Sequence, residues 1–139
     1  MTVFLDTGVL VAYSNQRDQR HDRASALLDE IRTGEYGVPF TSDYIFDEAV
    51  TLALMRTGRD DVVLGVGDLI LPSSREERFL ELIHTSEEDF VEAWSAMRRH
   101  VSAGLSFTDW VTVQHVRRRE IDRVASFDRR LDAWVPRIE

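Results

Sequence analysis

The chain opens on an apolar run without alternation, Val3-Phe4-Leu5, that stops at Asp6, and after Thr7-Gly8 the apolar residues return at helical spacing through Tyr13. The pattern predicts a buried strand passing into a helix, with Asp6 where the strand ends. A strand of this kind suits a parallel sheet covered on both faces, and such sheets bind ligands beyond the carboxyl ends of their strands.

Apolar runs and helical stripes keep alternating down the chain. Ala24, Leu27, Leu28 and Ile31 share a helical face that begins at Asp22, and Gly34 is the stop. A short strand is expected over 36–40, with Pro39 marking it as brief or as an edge. Thr41 and Ser42 are N-cap candidates for a helix from Asp43 to Arg56 that Gly58 terminates. On that helix Glu48 shares the face of Ile45 and Leu52, and a carboxylate against an apolar stripe needs a reason.

Another helix is expected over 60–71, with more apolar positions than one core-facing stripe requires, so part of it is expected at an interface. The end of 77–84 reads as a strand. The next helix runs from Ser86 to Gly104, with acids in its first turn and Phe90, Val91, Trp94 and Met97 facing inward. Leu105 to Arg119 predicts the last long helix. Asp122 to Asp128 repeats the opening motif of a strand running into an acid, and the tail to Ile138 predicts an edge strand. Without linker or repeat, this alternation predicts one doubly wound α/β domain over 1–139.

Composition changes the picture in two respects. The chain has no cysteine, which excludes disulfides, thiolate zinc sites and a thiol nucleophile. No signal-peptide pattern opens it and no apolar run approaches the roughly 18 residues of a membrane helix, so a cytoplasmic protein without membrane contact is expected. Its 25 acidic and 17 basic residues leave a net charge of -8, and every basic residue is arginine. That surface suits concentrated salt, where self-repulsion is screened, and equally a GC-rich genome that prefers arginine codons. Contact with nucleic acid would then rest on local arginine clusters.

Four acids stand out: Asp6, Glu48, Asp109 and Asp128. Each has a structural explanation, since Asp6 can cap a helix, Glu48 can pair with an arginine, Ser106-x-x-Asp109 fits a capping box, and Asp128 can sit in a turn with Arg129 and Arg130. Strand ends and helix starts of a parallel sheet nevertheless converge on one edge. Four carboxylates sharing a small site need cations, and oxygen-only ligands select Mg²⁺ or Mn²⁺. Such ions activate water for in-line attack on a phosphodiester.

The segments LDTGVLVAY, DYIFDEAVTLAL, LSFTDWVTVQHV and VASFDRRLD resemble the four acidic motifs of the PIN domain, in order and across nearly the whole chain. In size and in its third and fourth motifs the chain is similar to the VapC-type toxins of toxin–antitoxin pairs. The resemblance implies a three-layer α/β/α fold around a parallel sheet and a Mg²⁺- or Mn²⁺-dependent endoribonuclease acting on RNA. It also implies a homodimer and a cognate VapB-like antitoxin that blocks the site. Residue by residue, Asp6 and Asp109 match the family's principal metal ligands, Glu48 its helix carboxylate and Asp128 its fourth acid. Thr7 and Thr108 match small hydroxyl residues beside the site, and Asp47 is a possible substitute for Glu48.

Arg117, Arg118 and Arg119 after the third motif, and Arg129 and Arg130 after the fourth, are candidate RNA contacts, because both groups are expected near the metal edge. Arginines at a helix C-terminus also suit the helix dipole. Trp94, Trp110 and Trp134 are expected in the core, with Trp110 adjoining Asp109. Rival readings are weaker. Asp6-Thr7-Gly8 is also an aspartic-protease signature, but that fold is almost entirely β. A phosphatase wants a second Asp where Gly8 stands, and a receiver domain wants a lysine. A housekeeping RNA-processing nuclease and a catalytically inert RNA- or protein-binding module of the same fold remain the alternatives.

Overall fold

The computed structural model describes all 139 residues. Five strands, β1 (Thr2–Leu5), β2 (Val38–Ser42), β3 (Glu81–Ile83), β4 (Arg123–Ala125) and β5 (Arg137–Ile138), form one sheet in the order β3-β2-β1-β4-β5. Every pairing is parallel. Six helices surround it: α1 (Thr7–Ser14), α2 (His21–Arg32), α3 (Asp43–Thr57), α4 (Asp60–Ile70), α5 (Glu87–Arg99) and α6 (Phe107–Arg118). The architecture is the expected three-layer α/β/α sandwich. Val3, Phe4 and Leu5 are wholly buried, as a central strand covered on both faces requires.

Most boundaries follow from local chemistry. Ser42 caps α3 by accepting from the Ile45 N–H, and Gly58 closes it in the left-handed conformation at φ 59°. β2 starts two residues later than expected and runs to Ser42 as an inner strand. Pro39 is tolerated there because the Val38 N–H points to β1, so position 39 faces the other side, where β3 pairs only from Phe40 onward.

α5 departs from expectation in both extent and orientation. It stops at Arg99, followed by a short 3-10 turn over Val101–Ala103 before Gly104. Its buried stripe is Asp89, Ala93 and Ala96, while Phe90, Val91 and Trp94 are exposed. A buried acid displaced the apolar residues from the inner face. Asp89 is held there by the Arg118 guanidinium, with Arg119 at 3.8 Å and His115 at 3.6 Å. Trp94 is therefore not a core residue, whereas Trp110 is, and Trp134 packs against it. On α4, Val62, Val66 and Ile70 face the core and Leu64 remains exposed.

Candidate active site

Asp6 ends β1 and caps α1, so its carboxylate is set by backbone that the central strand holds rigid. β4 lies beside β1 with Leu5 opposite Ala125, which brings Ser126 next to Asp6. The Ser126 hydroxyl donates to Asp6 Oδ2 at 2.6 Å, and the Thr7 N–H donates to Oδ1 at 2.9 Å. The same serine oxygen accepts the Asp128 N–H at 3.0 Å, so one hydroxyl ties the first acidic motif to the fourth.

Asp109 is held by the capping box at the start of α6. The Ser106 N–H donates to its Oδ2 at 2.9 Å, and the Asp109 N–H donates to Ser106 Oγ at 3.1 Å. Gly104, at φ 75°, turns the chain into this cap. The structural explanation of Asp109 thus holds, and capping occupies only one of its carboxylate oxygens.

Asp6, Glu48, Asp109 and Asp128 line one open cleft of about 570 Å³ at the carboxyl ends of the central strands. Glu48 is half-buried beside Leu52 in this wall, while Asp47 is exposed and lines a separate depression with Asp43 and Tyr44. Thr7 also lines the cleft, and its buried Oγ1 has no hydrogen-bond partner. Thr108 is not part of the wall.

Electrostatics set these acids apart. Burial pushes the Asp6 pKa up to about 6, and the nearby Asp109 and Glu48 carboxylates push in the same direction against the Ser126 and Thr7 hydrogen bonds. Asp109 is also raised, by burial first and with Asp128 contributing. Asp128 is lowered, chiefly because Arg130 hydrogen-bonds to it, with Nη2 at 2.7 Å from Oδ2 and Nε at 3.0 Å from Oδ1. No three carboxylates stand close enough to make a preassembled cage. The donor set still fits a hard divalent cation, being all oxygen, mutually repelling and accompanied by the orphaned Thr7 hydroxyl.

The arginines divide differently from expectation. Arg130 lines the cleft and also donates to the Gly104 carbonyl at 2.8 Å. Arg129 is 80 % exposed and faces an adjoining depression. Arg117, Arg118 and Arg119 lie at the opposite end of α6 from Asp109, about 13 Å along the axis. The expected proximity of this trio to the metal edge is therefore incorrect. Arg118 is committed to Asp89, Glu88 and Glu92, and Arg117 lies over the Trp134 ring. The cleft instead presents Arg20 and Arg56, neither paired with a carboxylate. Their isolated positions in polar or helical sequence carried no signal that would have singled them out, whereas Ser126, two residues before Asp128, was within reach of motif reasoning.

The PIN domain family profile matches residues 3–134, and the chain belongs to that family. Solved structures of similar fold include VapC20 and VapBC2. The crystal structure of Mycobacterium tuberculosis VapC20, described as a sarcin–ricin loop cleaving toxin, has a TM-score of 0.78 at 25% identity, covering 94% of this chain and 93% of that one. VapBC2 from Rickettsia felis, bound to a promoter DNA fragment, has a TM-score of 0.67 at 11% identity over 99% and 98% of the two chains. FitAcB from Neisseria gonorrhoeae has 0.65 at 16% identity over 99% and 96%. No match is found among the curated proteins.

Proposed function

We propose that this protein is a Mg²⁺- or Mn²⁺-dependent endoribonuclease, the toxin of a VapBC-like toxin–antitoxin pair acting in the cytoplasm. The observation that carries the reading is the convergence of Asp6, Glu48, Asp109 and Asp128 on one cleft of a PIN fold. Asp6 and Asp109 are its principal metal ligands, Asp6 oriented by the Ser126 hydroxyl and the Thr7 N–H, and Asp109 by the Ser106 N–H. Glu48 would contribute from α3, and Asp128, paired with Arg130, would be the fourth acid of the site. An ion held there would supply a water of lowered pKa and offset charge on the attacked phosphodiester. Arg20, Arg56 and Arg130 face the substrate phosphates from the cleft wall.

Two partners belong to this reading. A homodimer is supported by Phe90, Val91 and Trp94, exposed on α5 beside the half-buried Tyr44 and Phe107. An antitoxin is supported by the toxin–antitoxin complexes among the structural relatives. It inhibits by placing an Arg or Lys among the four carboxylates, where positive charge is most lacking.

The deciding experiment incubates purified protein with total RNA and with a sarcin–ricin loop oligonucleotide, in Mg²⁺, Mn²⁺ or EDTA, beside Asp6→Asn and Asp109→Asn. Discrete fragments that vanish with EDTA and with either substitution are expected. Intact RNA under every condition, high salt included, would favour the inert binding module, and discrete maturation of one precursor would favour the housekeeping nuclease.

A further inference from the structure

Two smaller depressions adjoin the acid cleft, and all three share a pair of side chains. The Arg20 guanidinium lies 4.8 Å from the centroid of the Phe127 ring, and both residues line the cleft and both depressions. The larger depression, about 430 Å³, is completed by Arg23, Arg129 and Glu139. Three arginines against one acid is a local reversal of sign in a chain of net charge -8.

The fold makes little use of these arginines. Arg20 has no carboxylate partner, and its stack on Phe127 orders the guanidinium without neutralising it. Arg129 has one long contact, 3.6 Å to the Glu139 carboxylate. Arg23 reaches Glu30 at 3.6 Å and donates to the Glu139 main-chain oxygen, and the Glu139 carboxylate is itself held by Arg137 at 2.7 Å. Glu139 is thus an anion seated among guanidinium groups, directly beside the proposed catalytic cleft.

We propose that the groove formed by Arg20, Arg23 and Arg129 is a second subsite, which holds phosphates of single-stranded RNA flanking the bond in the acid cleft. It rests on the endoribonuclease reading for the identity of the polymer, although it concerns binding alone. Planar guanidinium forks match phosphate oxygens bidentately, and the Glu139 carboxylate stands where one such phosphate binds. A single strand can turn around the Arg20–Phe127 post from cleft to groove, whereas a stiff duplex cannot bend within that span. Phe127 adds an aromatic surface at the turn for a base.

The test is fluorescence anisotropy of a labelled 2′-O-methyl dodecamer, which resists hydrolysis, titrated with the full chain in Mg²⁺ across KCl concentrations. Arg23→Ala/Arg129→Ala is expected to bind about tenfold more weakly at low salt. Its slope of log K against log salt should be shallower by about 1.4, two phosphates at roughly 0.7 each. Glu139→Gln should bind more tightly than the parent, and Arg98→Ala on α5 should match it. Equal slopes for the parent and the double variant overturn the proposal. So does tighter binding of a glutamate dodecamer than of the oligonucleotide, which would assign the groove to an acidic protein segment. The expected slopes in a protein that cuts no RNA uphold the groove and sink the endoribonuclease reading.

Discussion

Ser126 and Asp6, 120 residues apart in sequence, share a hydrogen bond of 2.6 Å because β4 lies next to β1 in register. The serine also accepts from the Asp128 backbone, so the first acid cannot rotate without disturbing the fourth. Removal of the hydroxyl should leave the fold intact and loosen the site. Ser126→Ala is expected to lose about 10–100-fold in RNA cleavage or in metal affinity. Parent-like kinetics at limiting metal would show that Asp6 is oriented by other contacts.

Burial disfavours the charged forms of Asp6 and Asp109, with Asp109 and Glu48 adding to the effect on Asp6 and Asp128 to that on Asp109, and this penalty is relieved by a bound cation or by loss of one charge. Melting of the parent at neutral pH should therefore shift upward with millimolar Mg²⁺ or Mn²⁺ and not with added Na⁺. Asp6→Asn and Asp109→Asn should melt higher than the metal-free parent and lose the divalent response. A divalent shift that survives both substitutions would place the ion elsewhere.

Stability between pH 6.5 and pH 4 should reflect two opposing groups. Burial holds His115 down to about 4, so as pH falls through this window the unfolded chain takes up a proton that the folded chain refuses, and stability is lost. Asp6, raised to about 6, does the reverse: the folded chain takes the proton first, and stability is gained as pH falls. Each is worth at most about 3–3.5 kcal/mol, at roughly 1.4 kcal/mol per pH unit of separation. Chemical denaturation at several pH values should give a shallow profile for the parent. Asp6→Asn should steepen the acid-side loss and His115→Gln should reverse it. Parallel profiles for all three proteins would refute the assignment.

Asp89 is a buried acid with Arg118 as its counterion, and this pairing leads us to expect no RNA contact from Arg118. Asp89→Ala leaves His115 and the arginines without their carboxylate and should cost about 2–3 kcal/mol of stability. Arg118→Ala should leave RNA affinity unchanged, whereas Arg56→Ala should weaken it. Equal losses of affinity from the two arginine substitutions would put the C-terminal end of α6, as well as the cleft, in contact with RNA.

The exposed α5 face makes its own prediction. Val91→Glu/Trp94→Glu should convert a dimer to a monomer in sedimentation velocity while leaving the melting temperature of the monomer near that of the parent. A parent that sediments as a monomer at high micromolar concentration would remove the dimer from the proposal.

Sequence alone determined the features that local chemistry controls. Apolar runs that stop at an acid mark strand ends, and Ser42, Ser86 and Ser106 mark helix starts, because each serine oxygen accepts a backbone N–H in the first turn of its helix. The order and spacing of the four acidic motifs were likewise legible, since each stands at a strand end or in the early part of a helix. Tertiary structure decided what each side chain meets. Strand order placed Ser126 against Asp6, a buried Asp89 turned Phe90, Val91 and Trp94 outward, and the length of α6 carried Arg117–Arg119 away from the cleft. Arg20 and Arg56 entered the cleft wall for the same reason. Helical and strand periods fix which face a residue occupies, whereas the partner on that face comes from another part of the chain and is set only when the sheet assembles.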